Sequence, residues 1–310
     1  MKIVITGGAG YLGSIMCQHM LAKGYEVTVV DNLMYCQTTL FQYCADKRFN
    51  FIRGDARDEA LMRKAIADAD VIIPLAAIVG APACDMDPWA ARSINFEAER
   101  MVNSLRSKSQ RNVYPVTNSG YGTKSGDVFC TEETPMEPIS RYGIDKVEAE
   151  KVLLDSGDAI TLRLATVYGM SPRMRLDLLV NHFTYAAVTD GYLVLFEKDF
   201  KRNFVHIRDV ADGFIFSIEN YDKMKGKSYN LGLDAANMSK EELANKVKDQ
   251  VPNFVITYSQ LRSDPDKRNY VVSNDRLRKA GFEASRSIEE GIRELLVGYR
   301  MMPRSEFKNI

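Results

Sequence analysis

The order of apolar segments predicts an α/β fold whose core is a doubly wound parallel sheet of the Rossmann type. Three observations lead there: short β-rich segments alternate with helical patterns from residue 2 onward, the strand segments are apolar along their length, and a glycine-rich turn follows the first strand. Strands covered by helices on both faces are apolar throughout, and this alternation produces right-handed βαβ crossovers. We therefore expect one parallel sheet between two layers of helices.

Six strands and four helices are predicted in the first half of the chain. The strands are KIVIT at 2–6, EVTVVD at 26–31, FNFIRGD at 49–55, DVIIPLAA at 70–77, NVYPVT at 112–117 and AITLRLA at 159–165. The helices are expected over 11–24 and near 58–68, 88–106 and 140–155.

The alternation ends near Thr166, where polar segments such as SPRMRLDLLVNHF begin. Capping-box patterns predict two later helices, one over 239–250 that begins with Ser239 and one over 287–299 that begins with Ser287. We expect a first domain over 1–165 and a smaller C-terminal region over 166–310 that is partly interleaved with it.

Composition excludes several classes of protein. A hydrophobic fraction of 45% indicates a globular chain, and 41 basic residues balance 41 acidic ones, so neither nucleic acid nor an anionic membrane is expected as a partner. No apolar run approaches about 18 residues and the N-terminus does not resemble a signal peptide, which predicts a cytoplasmic protein. Five scattered cysteines and three distant histidines argue against disulfides and against a metal site.

The glycine turn TGGAGYLG lies between the first predicted strand and the first predicted helix, and Gly7, Gly10 and Gly13 are three residues apart. Glycine permits positive φ and close approach of the backbone, and the start of a helix attracts phosphate. This arrangement predicts a site for the pyrophosphate of a dinucleotide.

Two acidic residues follow at neighbouring strand ends. Asp31 comes eighteen residues after Gly13 and is placed to accept both ribose hydroxyls of an adenosine, which favours NAD over NADP because a carboxylate repels a 2′-phosphate. Asp55 could bind the adenine amino group. The alternatives are a solvated turn residue for Asp31 and a loop cap for Asp55.

Tyr142 and Lys146 are four residues apart in SRYGIDKVEAEK, so on a helix they share one face. The pKa of tyrosine is about 10, and lowering it toward 7 requires roughly 4 kcal/mol of stabilisation of the phenolate. A neighbouring ammonium and a cationic nicotinamide could supply this energy. The alternative is an exposed tyrosine above a solvated lysine.

Together these motifs make the sequence similar to the extended short-chain dehydrogenase/reductases that modify nucleotide sugars. The resemblance also includes LAA at 75–77, Asn95, TNSGYG at 117–122, LRLATVYG at 162–169 and RNFVHIRDVADG at 202–213. It implies that Thr117 bonds the reacting sugar oxygen, that Tyr142 is the base and that Lys146 binds the nicotinamide ribose. The implied NAD-binding residues are Gly7, Gly10, Tyr11, Leu12, Gly13, Asp31, Asn32, Asp55, Ala56, Leu75, Ala76, Ala77, Asn95, Tyr142 and Lys146.

Members of this family begin by oxidising the C4 hydroxyl of the sugar. The 4,6-dehydratases carry an acid pair directly after the catalytic threonine, where this chain has Asn118 and Ser119, so simple dehydration is disfavoured. The segments LAAIVGAPAC, TNSGYG, SPRMRLDLLVNHFTY and DPDKRNYVVSN resemble the GDP-heptose 4-dehydrogenase type, which implies retained NAD and possible use of a 2-keto acid as final oxidant. A 4-epimerase of the UDP-galactose type, and a catalytically silent NAD-binding regulator, remain alternatives.

The resemblance also implies a substrate site and an assembly. The segments that contain Arg202 and Arg268 correspond to those that reach the substrate diphosphate, and guanidinium groups bind phosphate through paired donors. Asn181, Arg173, Asn118 and Ser119 are the other expected substrate contacts. Helices near 88–106 and 140–155 are expected to form a homodimer. Glu197, Lys198 and Asp199 replace a usual glycine-rich turn beside the nucleotide base, so the base stays open.

Overall fold

The computed structural model describes residues 1–124, 129–260 and 269–302. Its strands are β1 (Lys2–Thr6), β2 (Glu26–Asp31), β3 (Phe49–Arg53), β4 (Val71–Pro74), β5 (Arg111–Thr117), β6 (Phe129–Cys130), β7 (Ala159–Leu164), β8 (Thr166–Tyr168), β9 (Tyr192–Leu195), β10 (Lys201–His206), β11 (Lys227–Leu231), β12 (Asn237–Ser239), β13 (Val255–Tyr258) and β14 (Val271–Val272). The α-helices are α1 (Tyr11–Ala22), α2 (Glu59–Ala65), α3 (Ala81–Met86), α4 (Pro88–Arg92), α5 (Ala98–Leu105), α6 (Arg141–Asp155), α7 (Leu179–Thr189), α8 (Ile207–Glu219), α9 (Tyr221–Met224), α10 (Lys240–Gln250), α11 (Asp275–Ala280) and α12 (Ile288–Tyr299).

Seven strands form the main sheet in the order β11, β7, β5, β4, β1, β2, β3. Every neighbouring pair in it is parallel. The chain runs outward from β1 to β3 and then returns to the other side of β1 with β4, so the order reverses between β1 and β4. The predicted doubly wound parallel sheet is confirmed, and in such folds ligands bind beside this reversal, at the carboxyl ends of the strands.

Alternate side chains along each strand enter different helix layers because successive residues of a strand point to opposite faces. Ile3 and Ile5 belong to the large core cluster that includes residues of α1 and α8, whereas Val4 belongs to a second cluster with residues of α2 and α5. Tyr114 and Val116 of β5 pack against α6 in a third cluster. The sheet is therefore buried on both faces, which explains why its strands lack polar alternation.

Two predicted strands and one predicted helix differ from the structure. β3 ends at Arg53 and β4 at Pro74, earlier than predicted, because the residues that follow, Gly54 and Asp55 after β3 and residues 75–77 after β4, leave the sheet and line a cavity at its edge. The helix predicted near 88–106 is divided by a π-helical turn over Ser93–Glu97. Such one-turn insertions are frequent at functional sites and change the direction of the side chains that they carry.

The C-terminal half contributes to the main sheet and also forms three small ones. β11 extends the main sheet beside β7, and α8 contacts α1. β10 pairs with β8 and β12, β13 with β9, and β14 with β6, so residues 129–130 join a strand from beyond residue 270. Both predicted capping boxes, at Ser239 and Ser287, are confirmed. Within the described ranges, no helix is long and apolar enough to cross a membrane.

Candidate functional site

A cavity of about 550 Å³ opens at the carboxyl edge of the main sheet. The segments that follow β1, β2, β3, β4, β5 and β7 all contribute to its wall, as the strand order predicts. The predicted site residues that line it are Gly7, Gly10, Tyr11, Leu12, Gly13, Asp31, Asn32, Asp55, Ala56, Leu75, Ala76, Ala77, Thr117, Ser119, Tyr142, Lys146, Arg173 and Arg202. Residues that are far apart in the sequence thus meet in one cavity.

The glycine turn leaves no space for side chains. Gly7 has φ +68°, and a Cβ there would lie 2.7 Å from the backbone nitrogen of Ala76. A Cβ on Gly13 would lie 2.4 Å from the carbonyl oxygen of Gly7. Gly10 begins α1 without a side-chain cap, so the first amides of this twelve-residue helix are not covered by a capping side chain. The turn therefore presents backbone N–H groups to the cavity, as an anion site requires.

Asp31 lies at the end of β2, and its carboxylate accepts hydrogen bonds from the backbone N–H groups of Ala9 at 3.0 Å and Leu33 at 2.8 Å. Burial raises the pKa of Asp31, and the two backbone donors act in the opposite direction. These bonds hold the carboxylate at the cavity wall next to the glycine turn. The position suits a residue that accepts hydrogen bonds from ribose hydroxyls.

Asp55 also lines the cavity, but its carboxylate is already bound by Arg57. The Nε and Nη2 atoms of Arg57 lie 2.9 and 2.6 Å from the two carboxylate oxygens. The Arg57 guanidinium holds the pKa of Asp55 below its usual range. Both carboxylate oxygens of Asp55 are thus bound within their own loop, as the alternative role of a loop cap would require. Asp55 nevertheless remains part of the cavity wall.

Asn95 is not one of the residues that line the cavity, and its direct contact with the cofactor stays a prediction. The side chain is 1% exposed and bonds both backbone groups of Ile78: its Oδ1 accepts from the N–H and its Nδ2 donates to the carbonyl, each at 2.9 Å. The π-helical turn directs the side chain toward this loop. Asn95 therefore positions residues 75–80, which form part of the cavity wall.

Thr117 ends β5 and faces the cavity beside Ser119. Its hydroxyl donates to the Ser119 hydroxyl at 3.0 Å and accepts from the Ser119 N–H at 3.1 Å. Asn118 is not one of the residues that line the cavity, and its contact with substrate stays a prediction. Both polar atoms of its side-chain amide are buried and have no hydrogen-bond partner among the described residues.

Tyr142 and Lys146 lie on one face of α6 and both line the cavity. Ser140 caps this helix and accepts a hydrogen bond from the Gly143 N–H at 3.2 Å, which fixes the start of the helix next to the tyrosine. Lys146 is 3% exposed, and its Nζ lies 3.8 Å from the centroid of the Tyr114 ring. The exposed-tyrosine alternative therefore does not describe this pair.

The charge of Lys146 is opposed by burial. Burial lowers the pKa of Lys146, and the negative charges of Glu99 and Glu150 act against this shift. Glu99 is itself buried at 4% exposure, and burial raises its pKa against the effects of Asn112, Lys146 and Arg106. The carboxylate and the ammonium therefore stabilise each other in a region that solvates neither.

Three arginines form another part of the cavity wall. Arg202 of β10 lines it at 1% exposure, and Arg173 lies with its guanidinium carbon 4.8 Å from the centroid of the Tyr35 ring. Arg175 is 8% exposed and bonds the Asp177 carboxylate through Nε at 2.8 Å and also through Nη2. Arg175 also interacts electrostatically with Tyr142. This side of the cavity can therefore bind an anionic ligand.

Asn181 is completely buried and is not one of the residues that line the cavity, and its contact with substrate stays a prediction. Its Nδ2 donates to the Tyr11 hydroxyl at 3.1 Å and to the Arg175 carbonyl at 3.0 Å, and its Oδ1 accepts from Gly169 N–H. Both amide donors are thus used inside the protein. Asn181 therefore holds the segment that carries the arginines. Arg268 lies outside the described residues.

Several cavity residues were not predicted from the sequence. They include Tyr35 and Gln37 after β2, the loop Ile78–Pro82, Asp177 and Tyr270. They come from loops whose direction no periodic pattern reveals. Arg175 flanks Met174 opposite Arg173, and the sequence made either arginine a candidate to face the phosphates or the sugar; both line the cavity.

These features define an α/β protein that binds a dinucleotide and places a half-buried tyrosine and a buried lysine beside it. The fit to NAD is good: the turn excludes a Cβ at two glycines, the helix start is uncapped, and a carboxylate lies at the expected strand end. The chain belongs to the NAD dependent epimerase/dehydratase family, whose profile matches residues 3–232. It is therefore an NAD-dependent enzyme of the extended short-chain dehydrogenase/reductases that modify nucleotide sugars.

Individual relatives agree with this assignment. A Bacillus subtilis (strain 168) protein described as an uncharacterized UDP-glucose epimerase is 30% identical, over 75% of this chain and 77% of that protein. The UDP-glucose 4-epimerase of Lactobacillus helveticus is 28% identical, over 86% and 87%. Among solved structures, the UDP-glucuronic acid 4-epimerase of Bacillus cereus superposes with a TM-score of 0.86 at 24% identity, over 97% of this chain and 99% of that one.

Proposed function

We propose that the protein oxidises the C4 hydroxyl of a nucleotide-activated sugar, with NAD as hydride acceptor. The observation that carries the proposal is the meeting of Thr117, Tyr142 and Lys146 with the glycine turn in one cavity. The arginines in another part of the cavity wall suit a nucleotide diphosphate, because each guanidinium offers paired donors to phosphate oxygens. The reacting hydroxyl would then lie between the arginine side and the tyrosine.

In the proposed mechanism Tyr142, as a phenolate, takes the proton of the C4 hydroxyl. NAD, when bound, accepts the C4 hydride, and a ketone is left at C4. Thr117 lies at the end of β5 in the same wall and would donate a hydrogen bond to the reacting oxygen. Lys146 would bind the nicotinamide ribose, and its ammonium would stabilise the phenolate in surroundings that exclude water.

Dehydration after this step is disfavoured by the residues that follow Thr117. Elimination of water needs a general acid and a general base next to the sugar. Ser119 lines the cavity but does not ionise usefully near neutral pH, and Asn118 does not line it. The 4-keto sugar is therefore expected either to leave the enzyme or to be reduced again.

For the fate of the ketone, we propose first a 4-dehydrogenase that acts on a GDP-heptose-like substrate and retains its NAD. All four sequence segments that resemble this type contribute to the cavity. They supply residues 75–82 from the first, Thr117 and Ser119 from the second, Arg173, Arg175, Asp177, Leu178 and Leu179 from the third, and Tyr270 from the fourth. A released ketone leaves reduced cofactor behind, so a 2-keto acid is the proposed final oxidant. The second candidate is a 4-epimerase, which the names of the matched relatives favour.

The mechanism is tested by Tyr142→Phe. Loss of the phenolate base should lower kcat by at least about 100-fold, the lower end of general acid–base contributions, while NAD stays bound. Tyr185→Phe is the matched control, because Tyr185 lies on α7 outside the cavity. Unchanged turnover of Tyr142→Phe would refute the mechanism, and absence of turnover in every protein, the wild type included, would favour a silent regulator.

The reaction is tested with a panel of UDP-, GDP-, CDP- and dTDP-sugars, each with and without a 2-keto acid. Chemical analysis of the product distinguishes a 4-keto sugar from a 4-epimer. Product that forms catalytically without an added oxidant indicates an epimerase, whereas stoichiometric product that becomes catalytic with the 2-keto acid indicates a dehydrogenase. Release of NADP on denaturation of the protein would contradict the role proposed for Asp31.

We also propose that the protein is a homodimer. Trp89 on α4 is 87% exposed and Ile144 on α6 is 38% exposed, and α4 contacts α6, so one surface carries both apolar side chains. Large exposed apolar side chains that lie together are typical of association surfaces. Light scattering of the wild type and of Trp89→Glu tests the proposal: a dimeric wild type and a weakened dimer in the variant are expected, and a monomeric wild type would contradict it.

A further inference from the structure

A buried carboxylate lies behind the proposed catalytic pair and has no role in the reaction described above. Glu99 lies in the first turn of α5, directly after the π-helical turn, and it is 4% exposed. Its Oε1 accepts a hydrogen bond from Asn112 Nδ2 at 2.9 Å, while its Oε2 is buried without a hydrogen-bond partner among the described residues. A buried carboxylate with one unsatisfied oxygen is costly and calls for a physical reason.

A second, much smaller cavity adjoins this carboxylate. Its volume is about 10 Å³, and Glu99, Thr6 and Tyr114 are among the residues in its wall. Ala76 and Ile94 line both this cavity and the large one, so the two are neighbours. The space approaches the size of one water molecule, and the wall offers polar groups that such a molecule needs. The carboxylate is thus held behind the cofactor site rather than within it.

Glu99 and Lys146 are linked through Tyr114 and through their charges. The Lys146 ammonium lies over the Tyr114 ring, and Tyr114 interacts electrostatically with both Glu99 and Tyr142. Among the negative charges that favour protonated Lys146, Glu99 has the largest effect and Glu150 the next. Glu150 is already bound to Arg163, whose Nε lies 3.0 Å from it, so Glu99 is the carboxylate most available to the lysine.

We propose that Glu99 is a positioning residue that keeps Lys146 protonated and thereby sets the pH at which Tyr142 loses its proton. Burial favours a neutral lysine, and a neutral lysine cannot stabilise a phenolate. The negative charge of Glu99 acts against this loss of the lysine proton, and Glu99 does so from outside the wall of the large cavity. The inference deepens the proposed function, since it rests on Tyr142 as the base.

Other charged groups also face this region and set the background against which Glu99 acts. Lys146 is faced by Glu150 of its own helix and by Tyr114 of β5. Glu99 is faced by Arg106 and Lys146. Tyr142 is faced by Arg175 and Tyr114. Asp145 of the same helix also affects Tyr114, but its carboxylate is bound by Arg92 at 2.8 Å. All of these side chains are kept when Glu99 is replaced, and Lys146 is the one whose charge the proposal makes dependent on Glu99.

The test is a titration of Tyr142 in the NAD-bound protein by the ultraviolet absorbance of tyrosinate. The spectrum of each Tyr142→Phe protein is subtracted from that of its parent, which isolates one tyrosine and needs no substrate. In Glu99→Gln the midpoint of the Tyr142 titration should rise by at least about one pH unit. This shift corresponds to about tenfold less tyrosinate at a given pH below the midpoint. Glu99→Asp keeps the charge and is the matched control, which should restore the midpoint toward that of the wild type.

Two outcomes would overturn the proposal. An unchanged midpoint in folded Glu99→Gln means that Glu99 is only structural, and a lowered midpoint means that Lys146 stays charged without it. If Glu99→Gln does not fold, Asn112→Leu replaces the donor to Glu99, and it also removes the buried Oδ1 that lacks a partner among the described residues. It should move the midpoint in the same direction. The titration detects Tyr142 even if the sugar reaction differs, so the two proposals fail separately.

Discussion

Gly7→Ala tests the close approach of the glycine turn to the neighbouring loop. Gly7 has φ +68°, and a Cβ there would lie 2.7 Å from Ala76 N and 2.8 Å from Ala76 Cα. Gly157→Ala is a matched control, because Gly157 has φ +77° and nothing within 4 Å of its Cβ position. Both variants introduce a left-handed alanine, and only Gly7→Ala also introduces a contact with backbone.

The control should lose about 1 to 2 kcal/mol of unfolding free energy, the cost of a left-handed non-glycine residue. Gly7→Ala should lose about 1 to 3 kcal/mol more of its unfolding free energy than the control, because the added Cβ is too close to the backbone and forces the chain to shift. That shift moves Leu75 and Ala76, which line the cavity, so NAD should also bind at least about tenfold more weakly, or about 1.4 kcal/mol.

Urea unfolding of the apoproteins measures the stability difference, and calorimetric titration measures NAD affinity. Gly157→Ala should bind NAD as the wild type does. If Gly7→Ala is no less stable than Gly157→Ala and binds NAD equally well, the turn has room that the structure does not show, and the account of this site is wrong.

Three further predictions concern Asp31, Asn95 and Glu294. Asp31→Ser should reduce the binding free energy of NAD by about 1.5 to 3 kcal/mol, because a charged hydrogen-bond acceptor is lost, and should also reduce the preference for NAD over NADP. Calorimetric titration with both nucleotides measures these two effects. Unchanged NAD affinity would contradict the ribose contact. Asn95→Ala removes two bonds to Ile78, so the melting temperature and NAD affinity should fall together, and normal NAD binding would show that loop 75–80 needs no such support. Burial alone would raise the pKa of Glu294, but hydrogen bonds and charges from His206 and Arg208 outweigh burial and hold this pKa below its usual range. The ionised Glu294 therefore stabilises the fold at pH values above its pKa in the unfolded chain. This stabilisation is lost as the pH falls through the lower pKa of the folded protein. Urea unfolding over a pH series should therefore show a steeper acid loss for wild type than for Glu294→Gln, and equal slopes would contradict this.

The main sheet and the residues at its strand ends were predictable because local sequence encodes them. Strands that are apolar along their length indicate a sheet that is buried on both faces. Because the strands are parallel, the carboxyl ends of β1, β2 and β5 lie at one edge of this sheet. This is why Gly7, Asp31 and Thr117 meet in the structure as they were expected to meet. Tyr142 and Lys146 were predictable as a pair because helical spacing places them on one face.

The roles of the buried asparagines depend on directions that the sequence does not encode. Asn95, Asn118 and Asn181 are predicted to contact ligands, and none of the three is among the residues that line the cavity. An asparagine can bond a ligand or the backbone of a loop with equal ease, and the choice depends on which way its element is turned. For Asn95 this direction is set by a π turn, which has no clear sequence pattern.

The sequence by itself determined the fold class, the cofactor site and the order of the catalytic side chains, because each depends on periodicity and spacing within short segments. Only the tertiary structure decided that Arg175 shares the cavity with Tyr142 and that Glu99 is buried behind Lys146. Both relations join residues from separate elements. Charge interactions of this kind depend on distance and burial in three dimensions, and neither quantity can be obtained from residue spacing along the chain.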